Sequence, residues 1–118
     1  MKISKHFKRE EFECRCGCGQ STVDIELITI LERVREHFGK PVIITSGNRC
    51  EAYNKEIGGA KDSQHLTGKA ADFKVTDVLS SEVYEFIDLN APNSYGLGLY
   101  SSWTHFDSRN NKARWGKQ

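Results

Sequence analysis

The most informative stretch of this sequence runs from Ser63 to Asp72 and reads Ser-Gln-His-Leu-Thr-Gly-Lys-Ala-Ala-Asp. Further along the chain lies a second short motif, His105-Phe106-Asp107. Together they supply the imidazoles of His65 and His105 and the carboxylate of Asp72, the kinds of ligand that a catalytic zinc ion takes. Such a site keeps a fourth position for water, so the pattern predicts metal-dependent hydrolysis.

The residues around these ligands predict how they meet. Gly68 gives the loop that carries His65 its turn, and the alanines at 70 and 71 leave room beside Asp72. Residues 70–75 alternate enough to form a strand, and we expect His105 to come in from a neighbouring strand, the last of the sheet. A histidine near an aspartate is more often a simple surface or core pair, but here independent features converge on one site.

Apolar spacing on both sides of the motif predicts an α+β fold. Helical periodicity runs from Asp24, a potential N-cap, to Phe38, where Gly39 ends the helix. We further expect a short helical or turn segment at 7–12, helical turns at 51–57 and a helix from Ser80 or Ser81 to about Leu89. Strands are expected at 42–45, 70–75, 96–100 and 103–107, the last two as a hairpin. Helices should pack on one face of a small, largely antiparallel sheet.

Length and composition limit the possibilities. A chain of 118 residues predicts one domain, 1–118, with a modest core. Hydrophobic residues make up 37% and charged residues 28%, with a net charge of +1, so a nucleic acid or acidic membrane partner is not expected. Nothing in the sequence indicates more than a monomer.

The N-terminal residues carry positive charge without an apolar run behind it. We therefore expect no signal peptide, no membrane insertion and synthesis in the cytoplasm. A substrate outside that compartment would be reached through a membrane pore, as part of a phage particle, or with a presequence that this sequence lacks.

The motifs resemble a known family. Ser63-x-His65-x-x-Gly68-x-Ala70-x-Asp72 followed by His105 is similar to the zinc signature of the D-Ala-D-Ala carboxypeptidase and murein endopeptidase metallopeptidases (peptidase M15-like, with the hedgehog/DD-peptidase fold). The resemblance covers roughly residues 40–115. The segment 46–54 also resembles the short single-domain branch found in bacteria and phages.

The resemblance implies zinc as cofactor, held by His65, Asp72 and His105. It implies that Arg49 binds a substrate carboxylate, which a planar guanidinium does well, and that Ser63 lines the same pocket. The alternative for Arg49 is a salt bridge at the strand end. The implied substrate is a peptide stem or cross-link of bacterial peptidoglycan.

The general base is where the sequence departs from its relatives. Family members often place an acid three residues before the last ligand or a histidine two before it, where this chain has Ser102 and Trp103. Asp107 is the nearest replacement. It lies on the same strand face as His105, so it either acts as the base or orients that ligand.

Four cysteines add a second feature. Cys14, Cys16 and Cys18 lie close together, and Cys50 follows Arg49. They can form two disulfides, bind a second zinc ion through four thiolates, or stay reduced. We expect a tie between residues 14–18 and Cys50, with its chemistry left open.

Two classes of function follow. The first is a zinc-dependent peptidase of the cell wall, such as a phage endolysin or a wall-remodelling enzyme. The alternative is a metal-binding module without catalysis, in a phage structure or bound to peptidoglycan, or a zinc-stabilised structural domain. The missing upstream acid and the role of Asp107 separate them.

Overall fold

The computed structural model describes residues 1–116, where a five-stranded sheet packs against helices. The predicted domain's last two positions, 117 and 118, lie outside the described residues. The strands are β1 (Val42–Ser46), β2 (Ala70–Val75), β3 (Gly96–Leu99), β4 (Thr104–Asp107) and β5 (Ala113–Trp115). The α-helices are α1 (Ile25–Phe38), α2 (Glu51–Glu56) and α3 (Ser80–Asn90), and 3-10 helices span Arg9–Phe12 and Gln64–Thr67.

The sheet order is β1-β2-β4-β3-β5, and every neighbouring pair is antiparallel except β3 with β5. The predicted α+β class and largely antiparallel sheet are confirmed. One expectation was wrong: His105 lies on β4, and β5 follows it as a further strand, paired with β3. Within residues 1–116, no helix is long and apolar enough to cross a membrane.

The core lies between the helices and the sheet. The apolar faces of α1 and α3 meet the inner face of the sheet, as their helical spacing predicts, and each large side chain buried there contributes about 1.5 to 3 kcal/mol. Phe7 and Phe12 are also fully buried and anchor the N-terminal segment to this core. The central members of the core are Leu27, Leu31, Val34, Phe73, Val83, Ile87, Leu97 and Phe106.

Neither of the two predicted N-cap side chains makes a capping hydrogen bond. Asp24 occupies the N-cap position of α1, yet its side chain makes no capping bond; it accepts a hydrogen bond from Ser108 at 2.8 Å instead. The predicted cap of α3 was wrong. Leu79 holds the N-cap position, and the hydroxyl of Ser80 donates to the carbonyl of Tyr100 at 2.6 Å.

Strand register places the candidate ligands side by side. Asp72 of β2 lies directly opposite His105 of β4, as expected for neighbouring strands. On its other side, Asp72 pairs with Ser46 across an irregularity near the end of β1. The chain leaves the edge strand β1 there and carries Arg49 toward the same point.

Candidate active site

Three predicted side chains come together between β2, β4 and the loop before β2. Nε2 of His65 lies 3.4 Å from Oδ2 of Asp72, and Nδ1 of His105 lies 2.9 Å from Oδ1 of Asp72. Within the described residues, these three side chains form one of two groups whose ligand atoms all lie within 4.8 Å of one another. Both histidines are buried, so the group is a shielded cluster of two nitrogens and a carboxylate.

The local fold fixes the orientation of His65. Its backbone N–H donates to the Ser63 hydroxyl at 3.2 Å, which caps the 3-10 helix Gln64–Thr67. Its Nδ1 lies 2.7 Å from the carbonyl of Gly47, which can only accept a hydrogen bond. Nδ1 therefore carries a proton, and Nε2 is the ring nitrogen that faces Asp72.

Two further contacts hold this loop in place. The side-chain amide of Asn48, buried at 2% exposure, donates to the carbonyl of His65 at 2.9 Å and accepts from the backbone of Thr22. Gly68 ends the 3-10 helix with φ +74°, and a Cβ there would lie 2.4 Å from the carbonyl oxygen of Thr22. The glycine of the motif is needed for both its conformation and its close approach.

His105 is held on both sides by carboxylates. Nδ1 faces Asp72, and Nε2 lies 2.7 Å from Oδ2 of Asp107. Asp107 has no exposed surface, and Arg109 clamps it with Nε 2.7 Å from Oδ1 and Nη2 2.8 Å from Oδ2. Room for this carboxylate comes from Gly96 on β3, where a Cβ would lie 2.3 Å from both carboxylate oxygens.

These contacts determine the charges of the cluster. Burial acts to raise the pKa of Asp72, but hydrogen bonds from His105 and His65 outweigh it and hold the pKa well below its usual range. The same balance keeps Asp107 ionised: burial opposes ionisation, while His105 and Arg109 lower its pKa. For His105, burial acts to lower the pKa, and the two carboxylates raise it overall.

Arg49 reaches the cluster from the loop after β1. Its Nη2 lies 3.4 Å from Oδ2 of Asp72, its Nη1 donates to Asn54 at 3.2 Å, and its Nε donates to Ser46 at 3.2 Å. The side chain is 12% exposed. Arg49 thus forms the strand-end ion pair that the sequence left open and also borders the cavity described next.

The cluster opens into a cavity of about 660 Å³, a size typical of small-ligand sites. Ser63 lies in its wall, together with three cationic side chains, Arg49, Lys61 and Arg109. The carboxylates of the wall are Asp62 and Asp72. The wall therefore carries more cationic side chains than carboxylates, and a bound divalent cation would add to its positive charge. Such a cavity attracts an anionic group.

Aromatic residues form one side of the cavity. The rings of Tyr100 and Trp103 stack at 4.4 Å, and Trp115 donates from Nε1 to the hydroxyl of Tyr100 at 3.0 Å. The ring of Trp115 also lies 5.0 Å from that of His105 and 5.4 Å from the guanidinium carbon of Arg109. The other three tyrosines lie elsewhere: Tyr84 is buried in the core, Tyr95 packs against Phe106, and Tyr53 is on α2.

Sequence reasoning missed Asn48 and Asp62 as parts of this site. The buried amide of Asn48 and the position of Asp62 both depend on how the loops close, which no local pattern reports. The Gly96-x-Gly98 spacing did carry a signal, since glycine within a strand marks the close approach of another group. Here Asp107 approaches Gly96, and Trp115 approaches Gly98.

Comparison with known proteins identifies the family of this chain. A family model described as Peptidase M15 matches residues 5–107, which confirms the resemblance seen in the ligand motifs. The match begins well before residue 40, so the N-terminal segment belongs to the shared pattern, and it ends before β5. A search of curated proteins found no match.

Proposed function

Because this chain belongs to the Peptidase M15 family, we propose that it is a zinc-dependent peptidase acting on the peptide stems or cross-links of bacterial peptidoglycan. The observation that carries the proposal is the convergence of His65, Asp72 and His105 at the floor of a cationic cavity. Family peptidases depend on a metal, and this cluster supplies the ligand types that zinc takes in catalytic sites.

The donor set fits a divalent ion. With its Nδ1 proton committed to Gly47, His65 presents Nε2 on the side of Asp72, where a metal ion would take the lone pair of that nitrogen. His105 can do the same with Nδ1 while its Nε2–H donates a hydrogen bond to Asp107. Two neutral imidazoles and one carboxylate then face a common point. A bound zinc ion supplies polarisation of a scissile carbonyl and lowers the pKa of water to about 7.

We propose that Asp107 acts as a positioning residue for His105. Both of its oxygens are occupied, by His105 and by the two nitrogens of Arg109, and no part of it reaches the cavity surface. Its lowered pKa also makes it a poor acceptor of a proton near neutral pH. These contacts support the orienting role over that of general base.

Asp62 is our candidate for the general base. Of the two carboxylates in the cavity wall, Asp72 belongs to the ligand cluster, which leaves Asp62 to exchange protons with substrate or water. Asp62 is exposed and lies in the turn directly before Ser63, so its side chain has room to move. A general base must come within hydrogen-bond reach of the proton that it takes, which a side chain in the cavity wall can do and the fully buried Asp107 cannot.

Substrate binding is assigned to Arg49, with Ser63 beside it in the wall. The guanidinium of Arg49 is held by Asn54 and Ser46, so it is oriented before substrate arrives. A stem-peptide carboxylate would receive bidentate hydrogen bonds from it. The stacked Tyr100 and Trp103 offer an apolar surface for the rest of the peptide.

The direct test is digestion of purified peptidoglycan by the zinc-loaded protein, with released termini identified by mass spectrometry. We expect new amine and carboxylate termini from the native protein and none from His65→Ala. His37→Ala is the matched control, because it removes an exposed imidazole on α1 that stacks on Phe86, outside the cavity. If the protein binds zinc at this cluster but releases no new termini from any type of cell wall, the result would instead favour the non-catalytic binding module.

A further inference from the structure

A second cluster of side chains lies outside the candidate active site, formed by Cys14, Cys16, Cys18 and Cys50. The Sγ atoms of Cys14 and Cys16 lie 3.4 Å apart, those of Cys14 and Cys50 3.8 Å, and those of Cys16 and Cys50 3.6 Å. All four sulfurs lie within 4.8 Å of one another. Three loop cysteines and one distant in sequence are thus gathered around one point.

The separations match one chemistry better than the alternatives. Zinc binds thiolate sulfur at about 2.3 Å in a tetrahedron, which sets neighbouring sulfurs about 3.8 Å apart. A disulfide needs about 2.05 Å, and all four cysteines of the described chain are free thiols. Clusters of several iron atoms hold their thiolates on different metals and spread them farther apart. The observed spacing is that of a single metal ion.

The backbone is shaped to hold the sulfurs in this way. Gly17 and Gly19 adopt left-handed conformations, with φ of +86° and +87°, which let the chain fold tightly between the cysteines. The N–H of Cys14 donates to the carbonyl of Gln20 at 2.8 Å and closes the loop. On the opposite side, Cys50 is the N-cap of α2.

Hydrogen bonds also point at the sulfurs. The backbone N–H of Cys50 donates to Sγ of Cys14, and that of Tyr53 donates to Sγ of Cys50, each at 3.4 Å. Donors aimed at sulfur stabilise the negative charge of a thiolate, as outer contacts do in metal sites. The cluster therefore has four thiolate ligands, the spacing that a single metal ion needs, and backbone donors that support the thiolates.

We propose that these four cysteines bind a structural zinc ion, separate from the ion of the candidate active site. Four thiolates complete the coordination of zinc, so the site has no position for water or substrate and serves the fold. It ties the loop 14–18 to the segment that follows β1. Because Arg49 precedes Cys50, the tie also fixes the backbone from which Arg49 reaches the cavity.

The test is a count of metal ions. Proteins are purified anaerobically with a thiol reductant, loaded with zinc, separated from unbound metal, and analysed by elemental mass spectrometry. We expect two zinc ions per native chain, one in the His65→Ala/His105→Ala variant and one in the Cys16→Ser/Cys50→Ser variant. Ser21→Ala is the matched control. It changes a residue close to the cysteine loop but keeps all four thiols, so it should retain two zinc ions.

X-ray absorption of the histidine variant then identifies the ligands, without relying on a cysteine variant that can misfold. We expect a zinc shell of four sulfur atoms at about 2.3 Å. Cobalt substitution of the same variant should give the intense visible bands of a tetrahedral thiolate. A histidine variant with no zinc, with zinc bound by nitrogen or oxygen, or with two disulfides under reductant overturns the proposal. None of these outcomes bears on peptidase activity.

Discussion

Replacement of Asp107 by asparagine separates its two candidate roles. In the native protein, four N–H groups approach the carboxylate: Oδ2 faces Nε2 of His105 and Nη2 of Arg109, and Oδ1 faces Nε and the backbone N–H of Arg109. An amide offers one oxygen, so its NH2 group would face two of these donors without a bond. The positive charge of Arg109 would also lose its partner.

Two effects of measurable size follow from this loss. We expect zinc to bind about 10- to 100-fold more weakly, the usual result when the partner of a metal-binding histidine is changed. At 1.4 kcal/mol per factor of ten, this corresponds to about 1.4 to 2.8 kcal/mol of binding free energy. We also expect the free energy of unfolding to fall by about 1 to 3 kcal/mol, because buried donors are left unpaired.

The assay is zinc affinity by competition with a chelator, followed by peptidoglycan hydrolysis at rising zinc concentration. A positioning residue predicts activity that largely returns when zinc is in excess. A general base predicts native zinc affinity and a kcat about 100- to 10,000-fold lower at saturating zinc. Asp62→Asn is the comparison, and we expect it to show the second pattern. If Asp107→Asn keeps native zinc affinity and excess zinc restores no activity, the reasoning is refuted.

Three further predictions rest on other contacts. Gly96→Ala places a Cβ 2.3 Å from both oxygens of Asp107. We expect calorimetry to show a free energy of unfolding about 1 to 3 kcal/mol lower, and chelator competition to show weaker zinc binding. Native values in both measurements would contradict this packing. Arg49→Lys replaces an oriented fork by a point charge, so we expect KM to rise at least about 10-fold with zinc content unchanged, and an unchanged KM would argue against substrate binding by Arg49. For Glu32, burial acts to raise the pKa, but hydrogen bonds from Ser4 and His6 lower it below its ordinary 4.5, so the carboxylate stabilises the fold above that pH and this stabilisation is lost as pH falls through the lowered pKa. Urea unfolding should therefore show Glu32→Gln about 1 to 2 kcal/mol less stable at pH 7, with the difference shrinking below pH 4.5, and a difference independent of pH would refute this.

The parts of the fold that were predictable are those with strong local patterns. Helix α1 followed from its apolar spacing and the glycine at its end, β2 from the alternation over residues 70–75, and β4 from the predicted hairpin of 96–100 with 103–107. Once both were strands, the pairing of Asp72 with His105 was expected. The ligand types and the register together therefore made the cluster accessible to sequence reasoning.

The parts that escaped depend on partners distant in sequence. Strand β5 has three residues, too few for an alternating pattern, and is held by Arg114, which donates to the carbonyls of Tyr95, Ala91 and Ser94. Asp24 occupies its predicted cap position but bonds to Ser108, 84 residues away. Ser80 likewise turns to the hairpin. Such polar side chains have several good partners, and tertiary structure selects among them.

The most direct measurement is anomalous X-ray diffraction at the zinc absorption edge, from crystals grown with zinc. We predict a peak within about 2.0 to 2.2 Å of Nε2 of His65, a carboxylate oxygen of Asp72 and Nδ1 of His105. Crystals in which these three side chains diverge, or in which no anomalous peak lies among them at saturating zinc, would contradict the account.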